Sequence, residues 1–234
     1  HAGGGWHKGI ACTARADSGA SRCLLAGGLM LNQTGPRGAI AGVVEPIAKG
    51  LLKIGLTPDA ITWIGTIGVS TAAFVFYTRG SFLVGTLVII AFIFSDMLDG
   101  TMARLSGRSG NWGAFLDSTL DRVADGAIFL SLLIWFARTD QWWLVGATSV
   151  CLIGGMIVSY AKARAEGLGM TCNVGFAERT ERLILVLLPT LIAGFGVPYI
   201  QAIALWVLAA LTLLTVFQRM AHVHKQATGE RAAQ

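Results

Sequence analysis

Six apolar stretches, each about 20 residues long, constrain most strongly what this chain can fold into. They cover residues 60–78, 82–103, 114–137, 141–163, 180–197 and 199–219. A helix needs about 20 mostly apolar residues to cross the hydrocarbon core of a bilayer. Short polar turns separate the stretches, and the last two together are too long for one crossing. The sequence therefore predicts an all-α integral membrane protein with six transmembrane helices.

The composition supports a membrane protein and argues against other classes. Apolar residues make up 54% of the 234 residues, and charged residues only 13%. Soluble domains carry about 25% charged residues. This balance excludes a disordered chain and disfavours a soluble domain or a nucleic-acid binder. The net charge of +5 is typical of cationic cytoplasmic loops.

The two ends of the chain differ from its apolar middle. Residues 1–29 are rich in Gly, Ala and Ser, and no Met precedes Met30. We interpret residues 1–29 as an upstream extension or a foreign remnant, disordered and outside the fold. Residues 30–225 then form the membrane domain, and residues 226–234 form a C-terminal tail.

A shorter amphipathic segment precedes the first apolar stretch. Residues 38–54 place apolar side chains at helical spacing, while Glu45, Lys49 and Lys53 fall largely on other faces. The segment is too short and too charged to span a bilayer. We expect an amphipathic helix that lies at the membrane interface.

Lysine and arginine predict the orientation of the chain. Arg79 and Arg138 lie on one side of the six predicted spans. The basic residues on the other side are Lys49, Lys53, Arg104, Arg108, Lys162, Arg164, Arg179, Arg182, Arg219, Lys225 and Arg231. Because cytoplasmic loops carry the excess of basic residues, we expect both termini and the active site to be cytoplasmic, in a multi-pass protein of the plasma membrane.

Four acidic residues lie at the facing ends of the second and third spans. They are Asp96, Asp99, Asp117 and Asp121. Spacings of three and four residues place each pair on one helix face. The loop between the spans is short, so the two helices should be antiparallel neighbours whose carboxylates converge. Dense carboxylate oxygens suit Mg²⁺ or Mn²⁺ better than zinc. The alternative is that the acids pair with nearby arginines, which accounts for only two of the four, or are solvated at the membrane interface.

These residues form part of a longer pattern, D-x2-D-G-x2-A-R-x8-G-x3-D-x3-D. Its fixed positions are Asp96, Asp99, Gly100, Ala103, Arg104, Gly113, Asp117 and Asp121. In this pattern the chain resembles the CDP-alcohol phosphotransferase family, and the resemblance extends over residues 38–222. It implies a fold of one amphipathic helix plus six transmembrane helices. It also implies that the phosphatidyl group of a CDP-linked lipid is transferred to a polar alcohol while CMP leaves.

The resemblance assigns roles to individual residues. Asp96, Asp99, Asp117 and Asp121 would bind two Mg²⁺ or Mn²⁺ ions, and Asp121 would also be the catalytic general base. The residues implied to bind the CDP-lipid are Asp59, Thr62, Gly100, Ala103, Arg104 and Gly113. Thr57-Pro58-Asp59 is also typical of a helix start. We expect CDP-diacylglycerol as the donor, the lipid bilayer as the environment, a homodimer, and no nucleic-acid partner.

The acceptor is predicted from four basic residues, Lys162, Arg164, Arg179 and Arg182, at the cytoplasmic ends of the fourth and fifth spans. Their clustering predicts a pocket for an alcohol that itself carries phosphate; the alternative is topological charge alone. The segments YAKARAE and ERTERL resemble those of actinobacterial phosphatidylinositol-phosphate synthases, which implies inositol 1-phosphate as the acceptor. Glycerol 3-phosphate is the alternative acceptor.

The acidic residues also allow a function of a different class. A membrane transporter with an acidic cation site is the alternative of a different class, but transporter acids tend to lie near the midplane of inverted repeats. Here the acids lie near one interface, and no repeat is visible.

Asp125 lies one turn beyond Asp121 and outside the motif. We predict that it pairs with a cation or forms part of a polar core.

Overall fold

A computed structural model describes residues 36–106, 110–176, 178–197 and 199–232 of the chain, with side chains except those of 36–43, 96, 97 and 230–232. The predictions for residues 1–29 lie outside these ranges. By internal contacts the chain divides into residues 1–40 and 41–234, and of the first unit only the start of one helix is described.

The described part of the chain is all-α, as predicted. Its helices are α1 (Pro36–Lys53), α2 (Pro58–Phe76), α3 (Phe82–Ser106), α4 (Asn111–Arg138), α5 (Trp142–Gly167), α6 (Arg179–Ala193) and α7 (Ile200–Ala232). A 3₁₀ turn over Tyr77–Arg79 follows α2. Each of the six predicted apolar stretches falls on one helix from α2 to α7. α7 continues through residues 226–232, which the sequence places in the tail.

Four of these helical segments are long and apolar enough to cross a membrane. They are Pro58–Arg79, Phe82–Ser106, Trp142–Gly167 and Ile200–Gly229. The chain is therefore a membrane protein by the length and composition of its helices. α6 has only 15 residues, which is about 22 Å at the helical rise. α4 is long enough, but Asp117, Asp121, Arg122 and Asp125 lie between its first turn and its middle. The count of six spans stays a prediction.

The helices from α2 to α7 pack as a closed ring. α2 contacts α3 and α4, α4 contacts α5, α5 contacts α7, α7 contacts α6, and α6 contacts α3. Each of the six helices contributes buried side chains to one apolar core, among them Val69, Ile89, Phe129, Cys151, Leu187 and Leu208. Closure of the ring places the start of α6 near residues of α4 that lie more than 50 positions earlier.

The start of α2 follows from its sequence. Thr57 is the N-cap residue, and its hydroxyl accepts a hydrogen bond from the Ala60 amide at 3.3 Å. Pro58 occupies the first helical turn, where its missing N–H costs nothing. These contacts confirm the predicted helix start, and they place Asp59 and Thr62 in the first two turns of α2.

α1 forms where the sequence predicts a helix, but only part of its predicted apolar face, which includes Ile47, Leu51 and Ile54, docks on the other helices. Ala48 is fully buried and packs with Ile61 of α2 and Met102 of α3. Ile47 and Ile54, which belong to the apolar stripe of the sequence, are 48% and 73% exposed. Part of that stripe is therefore left uncovered, and the position of α1 at the membrane interface stays a prediction.

Candidate active site

A cavity of about 530 Å³ lies between α2, α3, α4 and the start of α6. Eight residues that the sequence assigns to the site line it: Asp59, Thr62, Asp99, Gly100, Ala103, Gly113, Asp117 and Arg179. The fold thus brings together three segments that are far apart in the chain.

Two motif glycines leave space in this cavity. Apart from the nearby backbone of its own helix, a Cβ atom added at Gly100 or at Gly113 would have no neighbouring atom within 4 Å among the described residues. Close helix packing therefore does not explain these glycines here. Their missing side chains widen the cavity and let a ligand approach the helix backbone.

Asp99 is held in the cavity wall by a second helix. Its side chain on α3 is buried, and its Oδ2 atom accepts a hydrogen bond from the Thr62 hydroxyl of α2 at 2.6 Å. Asp117, on α4, is exposed and lines the same cavity. Asp96 lies on α3, but its side chain is outside the described part of the structure.

Asp121 forms an ion pair with a cation from another helix. Arg179 Nη2 lies 2.8 Å from Asp121 Oδ1, and Arg179 Nε lies 3.6 Å from Asp125 Oδ1. Arg122, the next residue of α4, is more distant at 3.9 Å from Asp121 Oδ2. The guanidinium of Arg179 therefore offsets the charge of the candidate base through its Oδ1 atom.

The carboxylate oxygens in the cavity suit a hard divalent cation, although the described side chains alone do not form a complete metal site. No group of three or more His, Cys, Asp and Glu residues within the described ranges could hold a metal ion. Asp121 faces Arg179, and Asp96 is not among the described side chains. Asp99 and Asp117 offer carboxylate oxygens to one cavity, which is the ligand chemistry that Mg²⁺ and Mn²⁺ prefer.

Of the four basic residues predicted to bind the acceptor, Arg179 lines the cavity. Arg182 is 3% exposed, with Nη2 lying 2.5 Å from Asp125 Oδ2 and Nη1 donating to the Gly155 carbonyl. This ion pair confirms that Asp125 pairs with a cation. Lys162 is half-buried and Arg164 exposed near the end of α5, and neither is among the described residues of the cavity wall.

Arg104, which the family pattern assigns to the CDP-lipid, is exposed and bonded within its own helix. Its Nε donates to the Gly100 carbonyl at 3.1 Å, and its Nη2 donates to the Thr101 hydroxyl at 3.3 Å. It does not appear among the described cavity-lining residues. Contact with a bound nucleotide would require a different rotamer.

Comparison with known proteins identifies the family. A family model described as CDP-alcohol phosphatidyltransferase matches residues 55–216, which include the cavity and the whole acidic motif. The chain belongs to the CDP-alcohol phosphatidyltransferase family. This match confirms the resemblance carried by the motif, and it makes the chain a membrane enzyme of that family.

Two curated relatives of this phosphatidyltransferase share one name. A phosphatidylinositol phosphate synthase of Streptomyces avermitilis is 46% identical over 215 residues, which is 88% of each chain. The enzyme of that name from Mycobacterium tuberculosis is 43% identical over 188 residues, covering 79% of this chain and 87% of the relative.

Solved structures of the M. tuberculosis phosphatidylinositol phosphate synthase share the fold. One, with CDP-DAG bound, superposes with a TM-score of 0.76 at 41% identity, over 78% of this chain and 94% of that one. Another, in complex with manganese and citrate, superposes with a TM-score of 0.73 at 41% identity, over 77% and 88%.

Two polar residues of this phosphatidyltransferase were missed by sequence reasoning. Trp112 Nε1 donates a hydrogen bond to Asp59 Oδ2 at 3.1 Å. Arg219 is 2% exposed and donates to the carbonyls of Val158 and Val174. Nothing local to Trp112 predicts its partner. Its place at the end of the apolar stretch 199–219 could have marked Arg219, because a cation at such a position needs specific partners.

Proposed function

We propose that the chain is a phosphatidylinositol phosphate synthase, which transfers the phosphatidyl group of CDP-diacylglycerol to inositol 1-phosphate and releases CMP. The observation that carries the proposal is the single cavity in which donor-side residues, carboxylates and Arg179 meet. The shared name of relatives at 40–46% identity supports the choice of acceptor.

The CDP headgroup would occupy the part of the cavity between α2, α3 and α4. Its ligands in this proposal are Asp59, Thr62, Gly100, Ala103, Arg104 and Gly113. The open space beside Gly100 and Gly113 gives phosphates access to the backbone. Pro58, in the first turn of α2, also lines the cavity, and helix N-termini favour anions.

Two Mg²⁺ or Mn²⁺ ions would be held by Asp96, Asp99, Asp117 and Asp121. Support comes from the carboxylate donor set and from the relative solved in complex with manganese and citrate. When bound, such ions polarise phosphoryl oxygens and offset the charge of a pyrophosphate. The buried Thr62–Asp99 hydrogen bond holds one of these carboxylates in a fixed orientation.

The transfer itself is a substitution at the phosphorus of the phosphatidyl group. A hydroxyl oxygen of the acceptor bonds to that phosphorus, the bond from phosphorus to the CMP oxygen breaks, and CMP leaves with its electron pair. Asp121 takes the hydroxyl proton as general base. Arg179, which lines the cavity, binds the acceptor phosphate, because a guanidinium can contact a phosphate through two parallel hydrogen bonds. Lys162 and Arg164 add positive charge near the end of α5, and Arg182 stays paired with Asp125.

The same proposal includes the arrangement in the membrane. α2 to α7 would all cross the plasma membrane, with α1 at the interface and both termini and the cavity on the cytoplasmic side. The excess of basic residues on that side supports this orientation. The protein would act as a homodimer, which chemical cross-linking in membranes can test.

A parallel acceptor assay tests the function. The purified protein receives CDP-diacylglycerol and Mg²⁺ with inositol 1-phosphate, glycerol 3-phosphate or free inositol, and released CMP is measured. We expect CMP release with inositol 1-phosphate. Release with glycerol 3-phosphate alone would make the chain a phosphatidylglycerophosphate synthase. If none of the three acceptors released CMP, or if only free inositol did, the proposed acceptor would be wrong.

A further inference from the structure

A hydrogen bond between Trp112 and Asp59 joins the N-terminal ends of α4 and α2. The indole Nε1–H donates to Asp59 Oδ2 at 3.1 Å across a sequence separation of 53 residues. Asp59 lines the 530 Å³ cavity, as do Asn111 and Gly113 on either side of Trp112. The contact therefore lies at the edge of the donor-side part of the cavity.

Burial does not account for the position of the Trp112 side chain. The residue is 62% exposed, and its nearest ring partner is Phe115, which is 60% exposed, with 6.0 Å between ring centroids. Packing within the protein therefore covers less than half of the Trp112 side chain. The hydrogen bond to a carboxylate is the stronger type, because the acceptor is charged.

The charge of Asp59 restricts what the carboxylate can contact in a bound CDP-lipid. An ionised carboxylate only accepts hydrogen bonds, and it repels the pyrophosphate. Its partner must therefore be the nucleoside, which offers ribose hydroxyls and the exocyclic amine of cytosine. Because the Trp112 N–H engages Oδ2, rotation of the carboxylate is restricted, and Oδ1 can accept from the nucleoside.

We infer that Trp112 is a positioning residue for the donor nucleotide, which acts by holding Asp59 in the orientation that accepts a hydrogen bond from the nucleoside. The inference rests on the donor half of the proposed function and is independent of which alcohol is the acceptor. Trp112 has no part in the step at phosphorus, so its effect belongs to donor binding rather than to turnover.

Trp112→Phe tests the inference, because it removes the N–H and keeps an aromatic ring. We expect the dissociation constant of CMP, measured by calorimetry, to rise roughly three- to tenfold, since one hydrogen bond makes a modest net contribution. The KM for CDP-diacylglycerol should rise by the same factor, with kcat and the acceptor KM unchanged. Trp142→Phe is the matched control, because Trp142 is 65% exposed at the start of α5, and it should change nothing.

A double-mutant cycle shows whether Trp112 acts through Asp59. In an Asp59→Ala background, which removes the acceptor of the Trp112 N–H, Trp112→Phe should cause no further loss of CMP affinity, because Trp112 then has no carboxylate to hold. Additive losses, or unchanged CMP affinity in Trp112→Phe, would overturn the inference. A wild-type protein that binds CMP but uses none of the three acceptors would contradict the proposed function instead, so the two failures are distinguishable.

Discussion

Asp99 combines burial with a negative charge, and Thr62 makes that combination possible. The hydroxyl of Thr62 donates to Asp99 Oδ2 at 2.6 Å from the neighbouring helix. A buried carboxylate without such partners is costly in a membrane protein. This hydrogen bond orients the Asp99 carboxylate at the cavity wall, where it can serve as a ligand of a divalent cation.

Asp99→Asn should abolish turnover and weaken Mn²⁺ binding by at least about tenfold, because the amide keeps the shape of the side chain and removes its charge. Titration of Mn²⁺ by electron paramagnetic resonance measures the binding directly. Asp140→Asn is the control, since Asp140 is exposed between α4 and α5 with a φ of 56° that Asn tolerates. Equal Mn²⁺ affinity in both variants would remove Asp99 from the metal site.

The buried ion pair of Asp125 and Arg182 should contribute to the stability of the folded protein. Removing one partner of a buried ion pair costs about 3–5 kcal/mol, because the other charge is left uncompensated. Arg182→Gln should therefore lower the Tm in detergent, and adding Asp125→Asn should restore part of it. Arg79→Gln, at an exposed position on the other side, should leave the Tm unchanged.

The acceptor KM of the same variants separates two roles of Arg182. A raised acceptor KM in the Asp125→Asn/Arg182→Gln protein, after stability is partly restored, would indicate that Arg182 also binds the acceptor phosphate. An Arg182→Gln protein with normal Tm would contradict the structural role that its burial implies.

At the scale of whole elements, α7 holds the connector between α5 and α6. Thr215 accepts a hydrogen bond from the Phe176 amide at 3.2 Å. The Gln226 side chain donates to the Thr171 carbonyl at 2.6 Å and accepts from the Thr171 amide at 3.1 Å. The connector leads directly into Arg179, the first residue of α6. Its docking on α7 therefore sets where that guanidinium can reach.

Gly175→Ala should disturb this docking. Gly175 has a φ of +120°, and a Cβ atom there would lie 2.3 Å from Thr215 Cγ2. Backbone strain and overpacking together should lower stability by about 1–3 kcal/mol, measured as a lower Tm in detergent. Gly146→Ala on α5 is the control: nothing lies within 4 Å of its added Cβ, so the Tm should stay equal or rise slightly. Equal Tm values for wild type and Gly175→Ala would show that the connector adapts.

The proposal that all six helices of the ring cross the membrane predicts on which side each connecting loop lies. The experiment uses three variants of a chain whose four native cysteines have been removed. Each variant carries one cysteine, in place of Ser81, Asp140 or Asn173. If all six helices span, an impermeant maleimide on intact cells should label positions 81 and 140 but not 173. If α4 does not span, position 140 moves to the inside and position 173 to the outside, which would contradict the six-span arrangement.

Sequence reasoning reached the features that depend on neighbouring residues in the chain. The helices follow from apolar runs, the start of α2 from Thr57 and Pro58, and the cavity-lining positions Asp99 and Asp117 from their spacing in one motif. These patterns are local, or they join two helices linked by a short loop.

Contacts between distant segments could not be predicted in the same way. The pairs Arg179–Asp121 and Trp112–Asp59 depend on which helices become neighbours when the ring closes. The sequence predicts that Arg179 binds the acceptor phosphate, and in the structure its guanidinium forms an ion pair with Asp121 of α4. The sequence contains both residues but not their proximity.

The most direct test of the central claim follows the acceptor phosphate itself. The purified protein is incubated with CDP-diacylglycerol, Mg²⁺ and inositol 1-phosphate labelled with ³²P, and the lipid phase is extracted. We predict that the label enters the lipid phase in a one-to-one ratio with the CMP released, and that Asp99→Asn abolishes both. Label that stays in the aqueous phase while labelled glycerol 3-phosphate enters the lipid phase would contradict the claim.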